Sequence, residues 1–163
     1  MAKPKDEKTN VMRILEQKNI PYTAHTYEHE EGVAVDGLTV SLSLGQDPEQ
    51  VFKTLVARGA SKNIYVFCIP VADSLDLKKA ARAVGEKSIE MIHVKEINAL
   101  TGYIRGGCSP VGMKKQYPTV FHETAEIVDT IMVSAGKIGY QVELDPAALV
   151  ELVGGSLADI TIN

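Results

Sequence analysis

No stretch of this 163-residue chain keeps one hydrophobic period for long. Short β-rich runs alternate with short helical patterns, and glycine, proline or aspartate falls between them. The centre of the pattern is a pair of runs, Val51–Arg58 and Asn63–Pro70, joined by a turn at 59–62, which predicts a β-hairpin. Many short strands interleaved with helices predict an α+β domain with a mixed, strongly curved sheet flanked by helices. Strand order cannot be read at this level.

The flanking elements follow from local signals. Thr9 or Asn10 can cap a helix carrying Val11, Ile14 and Leu15 and ending before Pro21. Tyr22–Tyr27 reads as a strand, and Val33–Leu44 as a helix closed by Gly45 and weakened near its start by Asp36 and Gly37. Asp73 or Ser74 is expected to cap the helix LDLKKAARAV, which Gly85 ends. A strand at Ser88–Met91 and a helix near Val94–Leu100 follow. The run TGYIRGGCSPVG holds too much glycine for a regular element. Strands are expected at Thr119–His122, Thr130–Ser134 and Tyr140–Leu144. Asp145-Pro146 opens a last helix, and Leu157–Ile162 adds a final strand. Residues 1–8 read as a flexible polar tail and 9–163 as one domain.

Charge and composition remove several function classes. Seventeen basic against 21 acidic side chains leave a net charge of −4, which argues against gripping nucleic acid by bulk charge. The longest apolar run, Ile64–Ala72, contains Pro70 and falls well short of the ~20 residues that span a bilayer. No apolar segment follows the basic residues of MAKPKDEKTN, so no secretory signal is expected. The two cysteines, Cys68 and Cys108, are read as reduced thiols of a cytoplasmic protein.

The candidate chemistry is sparse. His25 and His29 are spaced for zinc only on a helix, whereas His25 falls in a strand-like run without further ligands, so no metal is expected. Cys108 could serve as a nucleophile only beside a base such as His93 or His122. Two glycine-rich runs are more suggestive. Gly106-Gly107-Cys108-Ser109-Pro110 and Ser134-Ala135-Gly136-Lys137-Ile138-Gly139 would let main-chain amides approach a ligand and meet developing negative charge. Neither matches a phosphate-binding P-loop or a dinucleotide fingerprint. Lys53 stands in an otherwise apolar strand, on the face opposite Phe52 and Thr54. There it is either a guard against edge pairing or an anion-binding group.

Taken together, HTYEH (25–29), FKTL (52–55), LDLKKAA (75–81), TGYIRGGCSPVGMKK (101–115) and SAGKIGYQVEL (134–144) resemble the YbaK/EbsC family. Its members are single-domain relatives of the editing insertion of some prolyl-tRNA synthetases. The resemblance runs in order from about Val11 to Ile160. It implies a partly barrel-like α+β fold and a trans-editing enzyme that hydrolyses Cys-tRNA(Pro) and Cys-tRNA(Cys), without a cofactor. It assigns Lys53 to positioning the tRNA 3′ end, with Gly107 as the second catalytic position. Tyr27, Thr54, Gly106, Ser109, Pro110, Ser134 and Gly136 are then expected to bind substrate. In the implied reaction the substrate's own cysteine thiol attacks its ester.

The resemblance also implies partners: the aminoacylated 3′ end of tRNA, and prolyl-tRNA synthetase, which would supply tRNA selectivity. No membrane and no DNA are expected. Lys78, Lys79, Arg82, Lys114, Lys115 and Lys137 would form a local basic patch. Three departures bear on amino-acid specificity: Cys108 where an aliphatic residue is frequent, Gln141 where an acid occurs, and Asp36 in place of an aromatic. The alternatives are a deacylase of the same fold for another small aminoacyl group, such as Ala-tRNA(Pro), and a non-enzymatic regulator of the EbsC type.

Overall fold

The computed structural model describes residues 8–28 and 36–162. Among them the elements run α1 (Asn10–Gln17), β1 (Tyr22–Thr26), α2 (Gly37–Ser43), β2 (Phe52–Gly59), β3 (Ile64–Pro70) and α3 (Leu77–Val84). Then come β4 (Ile89–Met91), α4 (Ile97–Thr101), β5 (Thr119–His122), β6 (Ile131–Ser134), β7 (Tyr140–Leu144), α5 (Pro146–Leu152) and β8 (Ser156–Ala158). The expected hairpin is β2–β3, antiparallel from Phe52 against Pro70 to Arg58 against Ile64.

The strands form two sheets: a three-stranded one ordered β1-β7-β6 and a five-stranded one ordered β4-β2-β3-β5-β8. The first is wholly antiparallel, while β5 pairs in parallel with both β3 and β8, which makes the second mixed. A bridge between Val51 and Met132 stitches the sheets together, and the Met132 N–H donates to the Gln50 carbonyl at 2.9 Å.

Burial on both faces explains why β3 reads as a nearly unbroken apolar run. On one face Val66, Cys68 and Phe121 join Val11 and Leu15 of α1, Leu149 of α5 and Val142 of β7 in the larger core. On the other, Tyr65, Phe67, Ile69 and Val120 pack against Ala80 and Ala81 of α3. Alternation along β2 sends Phe52 to the first core and Leu55 and Ala57 to the second, so Lys53 lies on the α3 side of the sheet.

Two helix starts differ from the sequence expectation. Asp36 begins α2 rather than weakening it: its carboxylate accepts the Thr39 N–H at 3.1 Å, the role a short acidic side chain plays at an N-cap. The cap of α3 is Asp76, not Asp73 or Ser74, and accepts the N–H groups of Lys78 and Lys79 at 3.0 and 3.1 Å. Leu75 is held outside the helix by a bridge to Thr161. Residues 1–7 of the expected tail and 33–35 of the expected second helix lie outside the described residues. Lys8 pairs with Glu16 at 2.9 Å. No helix among the described residues is long and apolar enough to cross a membrane.

Candidate functional site

The strand β2 has a neighbour on one side along its whole length and on the other side only in part. Its partner β4 covers residues 57–59. The Gly59 N–H reaches the Asn63 carbonyl at 2.9 Å, so residues 59, 57, 55 and 53 direct their main-chain groups towards β3. The even residues face the other way, as the Val56 carbonyl shows by accepting the Ile92 N–H at 3.3 Å. Among the described residues no strand pairs with Thr54 on that side, and Thr54 lines a cleft.

The cleft has a volume of about 1210 Å³ and is lined by Lys53, Thr54, Tyr27, Gly106, Cys108 and Ser134 among others. Five of the nine sequence-predicted site residues therefore meet there: Lys53, Thr54, Tyr27, Gly106 and Ser134. Tyr27 is anchored at the end of β1, where its N–H donates to the Gly139 carbonyl at 2.9 Å. Ser134 ends β6, and its Oγ accepts the Gly136 N–H at 3.1 Å, which folds the second glycine run back on itself. Lys53 is half-buried and forms no ion pair among the described residues.

The other four stand behind these. Gly107 is buried, and a β-carbon there would come within 3.1 Å of the Ile138 nitrogen and 3.3 Å of the Lys137 carbonyl carbon. The two glycine runs thus pack main chain to main chain. Ser109 is fully buried and accepts the Val111 N–H at 3.2 Å, and Pro110 is buried beside it. Gly136, at φ +92°, faces Tyr103 and Val11 on the core side of its turn. The run 102–118 is irregular, as expected. It is pinned by the Tyr103 hydroxyl on the Val111 carbonyl and the Tyr117 hydroxyl on the Leu100 carbonyl at 2.7 Å.

Several lining residues carried no recognisable sequence signal. Met91, Val94 and Ile104 form an apolar wall although they are 42%, 55% and 50% exposed. They come from separate segments, and no pattern in one segment shows that they converge. Arg105 also lines the cleft, and its place immediately before two glycines was the available clue. With Lys53 it makes the cleft locally cationic in a chain of net charge −4. The described lining residues include no histidine and one carboxylate, Asp36, which is engaged in capping α2.

The two thiols are poor nucleophiles. Burial pushes Cys108 up to about 11, against a smaller opposing effect of a hydrogen bond with Thr101. Burial likewise pushes Cys68 up to about 12. His93 is exposed beyond β4, and His122 accepts the Ile160 N–H at 3.3 Å in the core under β8, so neither lies among the lining residues. His25 is bound to Glu143 at 2.7 Å, its proposed zinc companion His29 is outside the described residues, and no metal-ligand cluster occurs among the described residues.

The expected basic patch divides into separate groups. Lys79 is held by Asp159 at 3.0 Å and the Thr161 carbonyl at 2.9 Å. Lys137 lies over the Tyr140 ring at 5.2 Å, and Lys115 over Tyr117 at 6.0 Å. Lys78 and Arg82 border a second hollow, beside β4.

Comparison with known proteins agrees with this geometry. A protein of Enterococcus faecalis (strain ATCC 700802 / V583) named "Putative Cys-tRNA(Pro)/Cys-tRNA(Cys) deacylase EbsC" is 48% identical over 162 residues, which is 99% of this chain and 98% of that one. A crystal structure described as "a putative trans-editing enzyme for prolyl tRNA synthetase" superposes with a TM-score of 0.78 at 22% identity, over 100% of both chains. Another, of "hypothetical protein APE2540", gives 0.82 at 20% identity, over 93% of this chain and 99% of that one. The profile of the aminoacyl-tRNA editing domain matches residues 38–152, a span holding Lys53, both glycine runs and most of the cleft, and this chain therefore belongs to the aminoacyl-tRNA editing domain family.

Proposed function

We propose that this protein is a cytoplasmic trans-editing deacylase that removes cysteine from tRNA(Pro), and also from tRNA(Cys). The observation that carries the reading is the cleft itself. Lys53 forms no ion pair among the described residues and shares the cleft with Thr54 and with Gly106 of the glycine loop. The 48%-identical relative bears the name of this activity.

An aminoacyl ester is already activated, so the protein has mainly to hold a reactive geometry and favour developing negative charge. Lys53 and Arg105 offer positive charge to the 3′-terminal phosphate and ribose. Thr54 and Gly106, which line the cleft, offer main-chain N–H groups to an ester oxyanion, whereas the Gly107 N–H is held by the Ile104 carbonyl at 2.9 Å. The substrate thiol attacks the carbonyl carbon, a C–S bond forms and the C–O bond to the ribose breaks. The thiol proton ends on the ribose oxygen, leaving a cyclic thiolactone and free tRNA. The shortage of histidine and free carboxylate among the described lining residues favours this substrate-assisted route over water activated by a protein base. Selection of tRNA(Pro) is assigned to association with prolyl-tRNA synthetase.

The deciding experiment is single-turnover deacylation of Cys-tRNA(Pro) and Ala-tRNA(Pro) by wild type and Lys53→Ala. Fast cysteine release that is lost in the variant supports the reading. A preference for alanine keeps the reaction and changes the specificity. No release from either substrate, with prolyl-tRNA synthetase present, overturns the enzymatic reading in favour of a binding or regulatory role.

A further inference from the structure

A second hollow, of about 480 Å³, lies between α3 and β4 and contains none of the residues assigned to the cleft. Its border carries three cations, Lys78, Arg82 and Lys87, around an apolar floor of Leu77, Ala81 and Ile89. None of the three cations forms an ion pair among the described residues. Its one carboxylate, Glu86, is turned onto the Ser61 N–H at 3.1 Å, the Ser61 hydroxyl and the Tyr65 hydroxyl at 2.6 Å, so its acceptor capacity is directed at the hairpin turn. The neighbouring Lys79 is excluded by its contacts with Asp159 and Thr161.

The hollow and the cleft share one strand. Ile89 floors the hollow and Met91 lines the cleft, two positions apart on the same face of β4. Across from them, Gly59 pairs with Ile89 and Ala57 with Met91, on the sheet face that carries Lys53. From Lys53 to Gly59 is six strand residues, so the hollow begins roughly 20 Å from the lysine. The sheet face itself is buried under α3 at Ala57 and Ile89, so the route between the two cationic regions runs over β4, where Ile89 borders the hollow and the exposed Met91 lines the cleft.

The geometry points to this path as the seat of the RNA phosphate backbone: Lys78, Arg82 and Lys87 hold the acceptor-stem end of the substrate tRNA while Lys53 holds its 3′ terminus. The inference rests on the deacylase reading for the identity of the RNA. The partner is an RNA backbone rather than a single nucleotide because Lys53 and the cations of the hollow stand roughly 20 Å apart, several nucleotide lengths. It also shows how an acidic chain meets a polyanion, through local clusters of positive charge.

The test compares wild type, Lys78→Ala/Arg82→Ala/Lys87→Ala and, as a control for bulk charge, Arg13→Ala/Lys18→Ala in α1 and at its C-terminal end. Deacylation is measured across a salt series with full Cys-tRNA(Pro) and with a cysteinyl-CCA trinucleotide, alongside fluorescence anisotropy of uncharged tRNA. The expected result is a KM for full tRNA raised about tenfold in the α3 variant with kcat unchanged, and a slope of log(kcat/KM) against log salt shallower by about 2. The trinucleotide is cleaved as by wild type. Unchanged KM for full tRNA, equal losses on both substrates, or an equal effect of the α1 control each overturn the proposal. So does unaltered tRNA binding together with lost association with prolyl-tRNA synthetase, which would make the hollow a protein-docking surface. If wild type releases no cysteine, the deacylase reading fails separately, and weaker anisotropy binding by the α3 variant alone still decides whether RNA follows this path.

Discussion

Gly107 and Ile138 meet through their main chains: a β-carbon at 107 would lie 3.1 Å from the Ile138 nitrogen. This contact fixes one glycine loop against the other, and with it Gly106, which lines the cleft. Gly107→Ala requires the 137–138 turn to give by a few tenths of an ångström, and Gly107→Val requires more. The expected outcome is a fall in kcat of about tenfold for alanine and more for valine, with destabilisation of about 1–3 kcal/mol from overpacking. Kinetics and thermal unfolding check it. Wild-type turnover in Gly107→Val would remove this loop from the reaction.

The raised Cys108 thiol bears on the choice of nucleophile. At pH 8 a thiol held up to about 11 is almost wholly protonated. Alkylation of Cys108 by iodoacetamide should therefore run on the order of a hundredfold slower than for a free cysteine of pKa ~8.5. It should accelerate only as the pH approaches 11. Cys108→Ala should keep its deacylase activity. Loss of activity in that variant, with a stable fold, would make the protein thiol a participant.

Substrate-thiol attack predicts discrimination at one atom. Ser-tRNA(Pro) fills almost the same volume as Cys-tRNA(Pro) but carries a poorer nucleophile, so its release should be slower by at least ~100-fold in kcat. Quenched-flow measurements on the two substrates decide it. Comparable rates would point to an attacking water instead.

The outer face of the three-stranded sheet gives a pH-dependent stability. Hydrogen bonds from Thr130 and then His25 hold the Glu143 carboxyl below its ordinary value of 4.5. A depressed carboxylate stabilises the fold above its unfolded value, and that contribution is lost as pH falls through the folded value. Thr130→Val removes the larger of the two effects. It should destabilise by about 1 kcal/mol at pH 7, a difference that shrinks in acid below pH 4.5. Denaturant unfolding at pH 7 and pH 3 checks it; a gap that widens in acid contradicts the assignment.

Much of this protein was legible in the residues. The hairpin β2–β3, the glycine stop of α3 at Gly85 and the Asp145-Pro146 start of α5 are local signals, decided by backbone dihedrals and capping within a few residues. The FKTL and glycine-loop motifs likewise marked Lys53, Thr54 and Gly106, which line the cleft. The cap of α3 went differently because aspartate can start a helix where the preceding chain is held extended, here by the bridge from Leu75 to Thr161, distant in sequence. At α2, Asp36 itself supplies the capping carboxylate.

Only the tertiary structure decided the rest. The division into two sheets and the parallel insertion of β5 between β3 and β8 are long-range pairings that no local pattern encodes. The edge at Thr54 is left unpaired because β4 stops at residue 57 of its partner, and the apolar wall exists because the Met91–Val94 stretch and Ile104 converge beside it. Sequence sets which residues can hold charge, turn or pack. Burial and strand pairing, which act between residues far apart in the chain, determine which of them face the same space.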